Sequence, residues 1–115
     1  MSTWQDLSNN PRLKKVYDDR IAIIKLIREF FWSKDFVETE TPVAVKFPGQ
    51  EPYLNPLPVA IHDPNGKAEK FYLRTSPEYA LKKLLAAGYE KIFELGKCFR
   101  DFESFGGNHN TEFTI

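Results

Sequence analysis

Residues 97–115 read KCFRDFESFGGNHNTEFTI, and this stretch decides the fold that the sequence predicts. Strand-like segments at 97–103 and 111–115 flank a glycine-bearing loop at 104–110. Alternation of side chains along a strand places Arg100 on the face opposite Glu103. Glycine permits the backbone conformations of a tight loop, so the pattern indicates two antiparallel strands joined by a loop.

The elements upstream of this hairpin follow from periodicity and turn residues. Apolar residues recur at helical spacing over 11–33, which predicts a long amphipathic helix. A turn at 63–66 between strand-like residues 57–61 and 70–74 predicts a second hairpin. A second helix is expected over 76–88, where serine caps the start and glycine stops the end. Further strand-like segments lie at 35–40 and 91–95.

The order of these elements predicts the fold class. Hairpin connections dominate and no regular strand–helix alternation occurs, which favours an α+β fold with an antiparallel sheet flanked by helices. We expect residues 1–10 to form a flexible lead-in and residues 11–115 to form one domain, with a mobile loop at about 44–56. The strand-like end at 111–115 has no turn after it, so we also expect a truncated chain.

Composition excludes several classes of protein. The chain of 115 residues is 42% hydrophobic, which argues against disorder, and 16 basic residues balance 16 acidic ones. The single cysteine, Cys98, excludes an internal disulfide and a cysteine-based zinc site, and no metal ligand set is predicted. No apolar stretch is long enough to cross a bilayer. We therefore expect a cytoplasmic protein without a membrane partner.

The hairpin at the end of the chain carries the side chains that suit a nucleotide. The guanidinium of Arg100 can bind two phosphate oxygens, and an aromatic ring such as Phe113 can stack on a planar base. Carboxylates such as Glu103 can accept from the amino group of a base. The alternative is an ordinary exposed hairpin with mixed charges.

The spacing of these residues resembles motif 2 of class II aminoacyl-tRNA synthetases, a strand–loop–strand that reads F-R-x-E and then H-N-P-E-F-T. The resemblance holds at Phe99, Arg100, Glu103, 109–110 and 112–114. Residues 20–42, which end in FVETETP, resemble motif 1, and LRTSPEYALK at 73–82 resembles the lysine branch. Among its members, the chain is most similar to the short paralogue of lysyl-tRNA synthetase that ligates a lysine-type residue to elongation factor P.

The resemblance implies an ATP site at the second motif. Arg100 would hold the α-phosphate and the charge that develops during adenylate formation. Glu103 would contact the edge of adenine, and Phe113 would stack beneath the ring. His109 would reach the outer phosphates, with Asn110 in the same site. The alternatives are a solvated loop for His109 and plain core packing for Phe113.

The resemblance also implies an amino-acid site, a dimer and an acceptor. Glu78 would hold the substrate's α-ammonium group, with Ser76 beside it, and Gly49 would be the hinge of a loop that closes over the amino acid. Pro42 and its preceding helix would form a homodimer interface. The acceptor of the lysine-like amino acid would be elongation factor P or tRNA. Glu78 could instead only favour a helix N-terminus, and Pro42 could only end a strand.

The sequence departs from the family pattern in three places. Asn108 stands where an arginine is usual, Thr111 stands where a proline is usual, and the third motif is absent. That motif supplies a second ATP-binding arginine and the carboxylates for Mg²⁺, so the Mg²⁺ ligands are expected beyond this chain. The expected activity is ATP-dependent amino-acid activation. The alternatives are a non-catalytic ATP-binding or dimerisation module and an engineered minimal catalytic fragment.

Overall fold

The computed structural model describes residues 4–103 and 107–115. Its helices are α1 (Trp4–Asn9), α2 (Pro11–Ser33) and α3 (Glu78–Ala86). Its strands are β1 (Val37–Glu38), β2 (Ala44–Val45), β3 (Leu57–His62), β4 (Ala68–Leu73), β5 (Ile92–Phe93), β6 (Lys97–Phe99) and β7 (Glu112–Thr114). The mixture of helices and antiparallel strands is confirmed, while the flanking of one sheet by helices stays a prediction.

The chain divides into two compact units, and the first, Met1–Phe36, contains the long helix. Helix α2 has the predicted bounds because Asn10 caps it and Pro11, which has no N–H to leave unpaired, occupies its first position. The Asn10 Oδ1 atom accepts a hydrogen bond of 3.1 Å from the Leu13 N–H. The lead-in differs from expectation, since Trp4–Asn9 are helical.

The second unit, Val37–Ile115, contains three small sheets. The predicted hairpin pairs β3 with β4, and β2 adds to the other edge of β4. The predicted terminal hairpin pairs β6 with β7 in antiparallel fashion. One pairing was not predicted: β1 and β5 are parallel, which is possible because a long crossover that includes α3 separates them.

Several strands are shorter than the sequence predicts. The strand predicted over 35–40 covers only Val37–Glu38, because Asp35 has a φ of 63° that interrupts an extended chain. The strand predicted over 91–95 covers only Ile92–Phe93. In the segment expected to be a loop, Ala44–Val45 instead pairs with β4.

Helix α3 begins later than expected but ends as predicted. Pro77, rather than Ser76, is the residue before its first turn, and Pro77 makes no capping bond through its side chain. At the other end Gly88 has a φ of 108° and donates to the Leu85 carbonyl, while the Tyr89 N–H donates to the Leu84 carbonyl. These two bonds satisfy carbonyls that a helix end leaves unpaired.

The core of the second unit is small and partly polar. Among the described residues, Phe93, Cys98 and Pro77 are buried apolar residues, and Arg74 and Thr75 are buried polar ones. No helix in the described ranges is both long and apolar enough to cross a membrane. The buried residues of the unit that carries the predicted site thus include the charged side chain of Arg74.

Candidate functional site

The terminal hairpin brings together the five residues that were predicted to bind ATP. A cavity of about 160 Å³ is lined by Arg100, Glu103, Asn108, His109, Asn110 and Phe113. The register of the strands explains this proximity, because Cys98 pairs with Phe113 and the Arg100 N–H donates to the Thr111 carbonyl at 2.9 Å. Asn108, which stands where the family pattern has an arginine, shares the cavity.

The Arg100 side chain has a buried donor that the described protein groups leave unused. Its Cζ atom lies 4.9 Å from the centroid of the Phe113 ring. Its Nε atom is buried and has no hydrogen-bond partner among residues 4–103 and 107–115. Because buried donors are nearly always paired in proteins, this orphaned N–H beside a cavity fits a site for an oxygen-bearing anion.

The predicted alternation of side chains beyond Phe99 is wrong. Strand β6 ends at Phe99, and Phe102 has a φ of 60°, which turns the chain. The Asp101 N–H donates to the Asn55 carbonyl at 2.7 Å, and the Asp101 carboxylate accepts from the Phe102 N–H at 3.0 Å. Glu103 consequently lines the same cavity as Arg100 instead of lying on the opposite face. Residues 104–106 of the predicted loop lie outside the described residues.

The two residues predicted to hold the amino acid lie together at the start of α3. The Ser76 Oγ atom accepts from the Glu78 N–H at 3.2 Å. Glu78 is exposed, and its Oε1 atom lies 2.8 Å from the Lys82 Nζ atom. The hydrogen bond that the Lys82 ammonium donates to Glu78, together with the charge of Glu78, raises the pKa of Lys82. Neither Ser76 nor Glu78 lines the Arg100 cavity as far as it is described.

Gly49 lies beside a second, larger cavity in the predicted mobile segment. This cavity, of about 660 Å³, is lined by Lys46, Phe47, Pro48, Gly49, Gln50, Pro56, Tyr72, Tyr79 and Lys83. Gly49 has a φ of 108°, and a Cβ atom placed on it would lie 2.7 Å from Tyr79 Cε2. Both features require glycine at this position. The proposed hinge motion stays a prediction.

The remaining predicted residues take no part in these cavities. Pro42 follows β1 and is exposed, and its dimer contact stays a prediction. No group of three or more His, Cys, Asp or Glu side chains that could hold a metal occurs in the described ranges. The Mg²⁺ that the resemblance implies is therefore assigned to no residue of this structure.

The sequence did not single out the buried ion pair of Arg74 and Glu94. The Arg74 Nη1 atom lies 2.6 Å from the Glu94 Oε1 atom, and both side chains are 4% exposed. Arg74 also donates to the Thr41 side chain and to the Lys97 carbonyl. Arg74 ends the strand-like segment predicted at 70–74, and the spacing of apolar residues in that segment gave no signal that its charge is buried.

Comparison with known proteins identifies the family of this chain. The family model described as tRNA synthetases class II (D, K and N) matches residues 2–115. The lysine–tRNA ligase of Buchnera aphidicola subsp. Cinara cedri (strain Cc) is 41% identical over 112 residues, which is 97% of this chain and 21% of that protein. The lysine–tRNA ligase of Malacoplasma penetrans (strain HF-2) is also 41% identical, over 96% of this chain and 22% of that protein.

A third relative gives the same result. The lysine–tRNA ligase of Methanoculleus marisnigri (strain ATCC 35101 / DSM 1498 / JR1) is 38% identical over 97% of this chain and 21% of that protein. The chain thus spans about a fifth of the length of these relatives. Because the family model matches residues 2–115, the chain belongs to the class II tRNA synthetases of the D, K and N group.

Proposed function

We propose that this chain forms part of the site of a lysine-activating ligase, which joins lysine or a lysine-like amino acid to AMP. The carboxylate oxygen of the amino acid forms a bond to the α-phosphorus of ATP, and the bond to the departing pyrophosphate breaks. The aminoacyl group then passes from AMP to an acceptor. The names of the relatives, all lysine–tRNA ligases, support lysine as the amino acid.

The observation that carries this proposal is the unpaired side-chain donor of Arg100. Its Nε is buried beside a cavity and finds no hydrogen-bond partner within the described residues. An α-phosphate oxygen in the cavity would accept hydrogen bonds from the Arg100 guanidinium, and these bonds would strengthen as negative charge develops in the transition state. Stacking of the guanidinium against Phe113 holds the charge in place before the nucleotide arrives.

The other residues of the cavity take complementary roles. Glu103 offers acceptor oxygens for the amino group of adenine, and Phe113 offers an aromatic surface for the ring. His109 and Asn110 are exposed donors at the mouth of the cavity, where the outer phosphates would lie. Mg²⁺ would neutralise phosphate charge in such a reaction, and no described residue is assigned to it.

Calorimetric titration of the chain with ATP tests the nucleotide site. We expect saturable binding by the wild-type chain and a loss of at least about tenfold in affinity for Arg100→Ala, because charged hydrogen bonds contribute about 1.5–3 kcal/mol. Arg12→Ala, which removes an exposed arginine from α2, is the matched control and should bind as the wild type does. Equal affinity of Arg100→Ala and wild type would reject the role of Arg100.

The amino acid and acceptor need an activity measurement. Lysine-dependent exchange of pyrophosphate into ATP is expected in a full-length protein that carries this chain, with Glu78→Gln raising the KM for lysine. Transfer of labelled lysine to elongation factor P or to tRNA then distinguishes the two acceptors. Exchange that depends on another amino acid would reject lysine.

A second candidate function, a non-catalytic dimerisation module, is favoured by the surface of α2. No residue of this helix is buried, and the side chains of Val16, Tyr17, Ile21, Ile23, Leu26, Phe30 and Trp32 are each more than half exposed. Exposed apolar side chains in this number are typical of a protein interface. A stable dimer that does not bind ATP would favour this function over the ligase, and sedimentation measured alongside the ATP titration decides between them.

A further inference from the structure

We infer that Arg74 is a positioning residue that holds the amino-acid half and the ATP half of the site at a fixed spacing. The inference rests on the proposed ligase function and deepens it. Arg74 touches neither proposed substrate site directly. It precedes Ser76 by two residues, is hydrogen-bonded to the strand before Arg100, and is among the most buried residues that the structure describes, at 3% exposure.

The Arg74 residue is bonded to β6 at two points immediately before Arg100. Its Nε donates to the Lys97 carbonyl at 2.9 Å. Its own carbonyl accepts from the Phe99 N–H, also at 2.9 Å. Because Phe99 is the neighbour of Arg100, the backbone that carries the proposed phosphate-binding side chain is fixed to Arg74.

The same residue fixes the start of the amino-acid half. Arg74 precedes Ser76 by two residues and Glu78 by four, and Thr75 between them is also buried. A short segment with a buried beginning has little freedom to move its far end. Displacement of Arg74 would therefore change the spacing between Glu78 and Arg100 without removing either group.

Thr41 and Glu94 form the clamp that holds the guanidinium. The Thr41 Oγ1 atom accepts from Arg74 Nη1 at 2.8 Å and donates to Glu94 Oε2 at 2.7 Å. Glu94 Oε1 lies 2.6 Å from Arg74 Nη1. Each polar atom of the clamp thus has a partner. Because a buried charge depends on such partners, they fix the position of the Arg74 guanidinium.

Gly96 shows independently that the Arg74 guanidinium fills the space around it. A Cβ atom at Gly96 would collide with the Arg74 Nη2 atom and would lie 3.2 Å from Glu94 Oε1. Its φ is outside the left-handed region, so backbone conformation alone does not require glycine there. Gly96→Ala therefore displaces Arg74 while every polar atom of the clamp remains.

Steady-state kinetics of lysine-dependent pyrophosphate exchange in the full-length protein tests the inference. We expect Gly96→Ala to lower kcat by up to about 100-fold, because a small misplacement of reacting groups acts on the transition state. Thr41→Val, which preserves charge and volume, should lower kcat by about tenfold. In both variants the KM values for ATP and lysine should change less than about threefold, since each half-site keeps its own groups.

Two matched variants separate positioning from stability. Thr41→Ser keeps the hydroxyl and should restore kcat to near the wild-type value. Thr39→Val removes a part-buried hydroxyl that donates to the Phe93 carbonyl at 3.2 Å, so it should lower stability and leave kcat unchanged. If the wild type shows exchange and both Thr41→Val and Gly96→Ala keep the wild-type kcat, the inference is overturned while the proposed function stands. Absence of exchange in the wild type would overturn the proposed function, and the inference with it.

Discussion

Two arginines, Arg74 and Arg100, each directly follow a strand, β4 and β6 respectively, and have opposite surroundings. The Arg74 guanidinium is 4% exposed and bonded to Glu94, Thr41 and Lys97. The Arg100 Nε is buried without a partner in the described part of the chain, and its guanidinium rests on the ring of Phe113. The arginine at position 74 therefore stabilises the fold through its partners, whereas the arginine at position 100 has an unpaired donor within the described ranges.

The difference teaches how to distinguish a structural charge from one that awaits a ligand. A buried charge destabilises a protein unless partners replace its hydration, and Arg74 has these partners. Arg100 retains an unsatisfied donor next to a cavity, which is a state that a ligand can improve. Removal of the Arg74 side chain should therefore mainly lower stability, whereas removal of the Arg100 side chain should mainly lower the affinity for ATP.

The largest expected effect is on the stability of Arg74→Ala. This variant leaves the Glu94 carboxylate buried without its cation, which costs about 3–5 kcal/mol of unfolding free energy. Urea unfolding followed by circular dichroism measures the change, with Arg12→Ala as an exposed control that should shift it by less than about 0.5 kcal/mol. A loss below about 1 kcal/mol for Arg74→Ala would contradict the structural role of the pair.

The second prediction concerns the stability of Arg100→Ala. The substitution removes a stacking contact of about 0.5–1 kcal/mol and also removes an unsatisfied buried donor, so the two changes oppose each other. We expect the unfolding free energy to change by less than about 1 kcal/mol. If Arg100→Ala destabilised the chain as much as Arg74→Ala, the contrast between the two arginines would fail.

The third prediction uses Cys98 as a reporter between the two arginines. Its side chain is fully buried, and burial raises the pKa of its thiol while Arg74 and Arg100 oppose that rise. The thiol should resist iodoacetamide in the native wild type and in Arg100→Ala, and it should react in Arg74→Ala. Mass spectrometry of the alkylated chains checks this. Rapid labelling of the native wild type would be inconsistent with a buried thiol.

The raised pKa of Cys98 also predicts a pH dependence with a definite sign. The native state disfavours the thiolate, so its contribution to stability is complete below the unfolded thiol's pKa, which is about 8.5. That contribution is lost as pH rises through the higher native pKa. Relative to Cys98→Ala, the wild type should therefore lose unfolding free energy above about pH 8.5. Parallel pH profiles for the two chains would exclude this linkage.

The smallest effect is expected at an exposed ion pair, which contrasts with the buried pair of Arg74. Lys82→Met removes the partner of Glu78 on the surface of α3 and should lower the unfolding free energy only slightly, because solvent screens both charges. Lys83→Met, on the next position of the helix, is the control and should be near neutral. The small cost should disappear in 1 M salt because exposed charges are screened. A cost that persists in salt would argue against an electrostatic origin.

Much of the local structure follows from short stretches of sequence. Asn10 and Pro11 predict the beginning of α2, and Gly88 predicts the end of α3, because capping chemistry acts within a single turn. The turn at 63–66 predicts its hairpin for the same reason: the Asp63 carboxylate accepts from the Asn65 and Lys67 N–H groups.

The errors lie where distant segments meet or where one residue leaves the regular backbone. The parallel pairing of β1 with β5 joins residues more than fifty positions apart, which no local pattern reports. Strand β6 ends at Phe99, and the positive φ of Phe102 turns the chain that follows, so that Glu103 lines the cavity of Arg100. Side chains alternate between two faces only while the backbone stays extended.

The sequence by itself determined the family of this protein, the order of its elements and the residues of the proposed ATP site, because these depend on residue types at short spacings. Only the tertiary structure decided that Arg74 is buried and paired while Arg100 retains an unsatisfied donor. Both residues are arginines at strand ends, and their difference depends on Thr41, Glu94 and Phe113. The energy of a charge depends on the groups that replace its water, and folding brings those groups from distant parts of the chain.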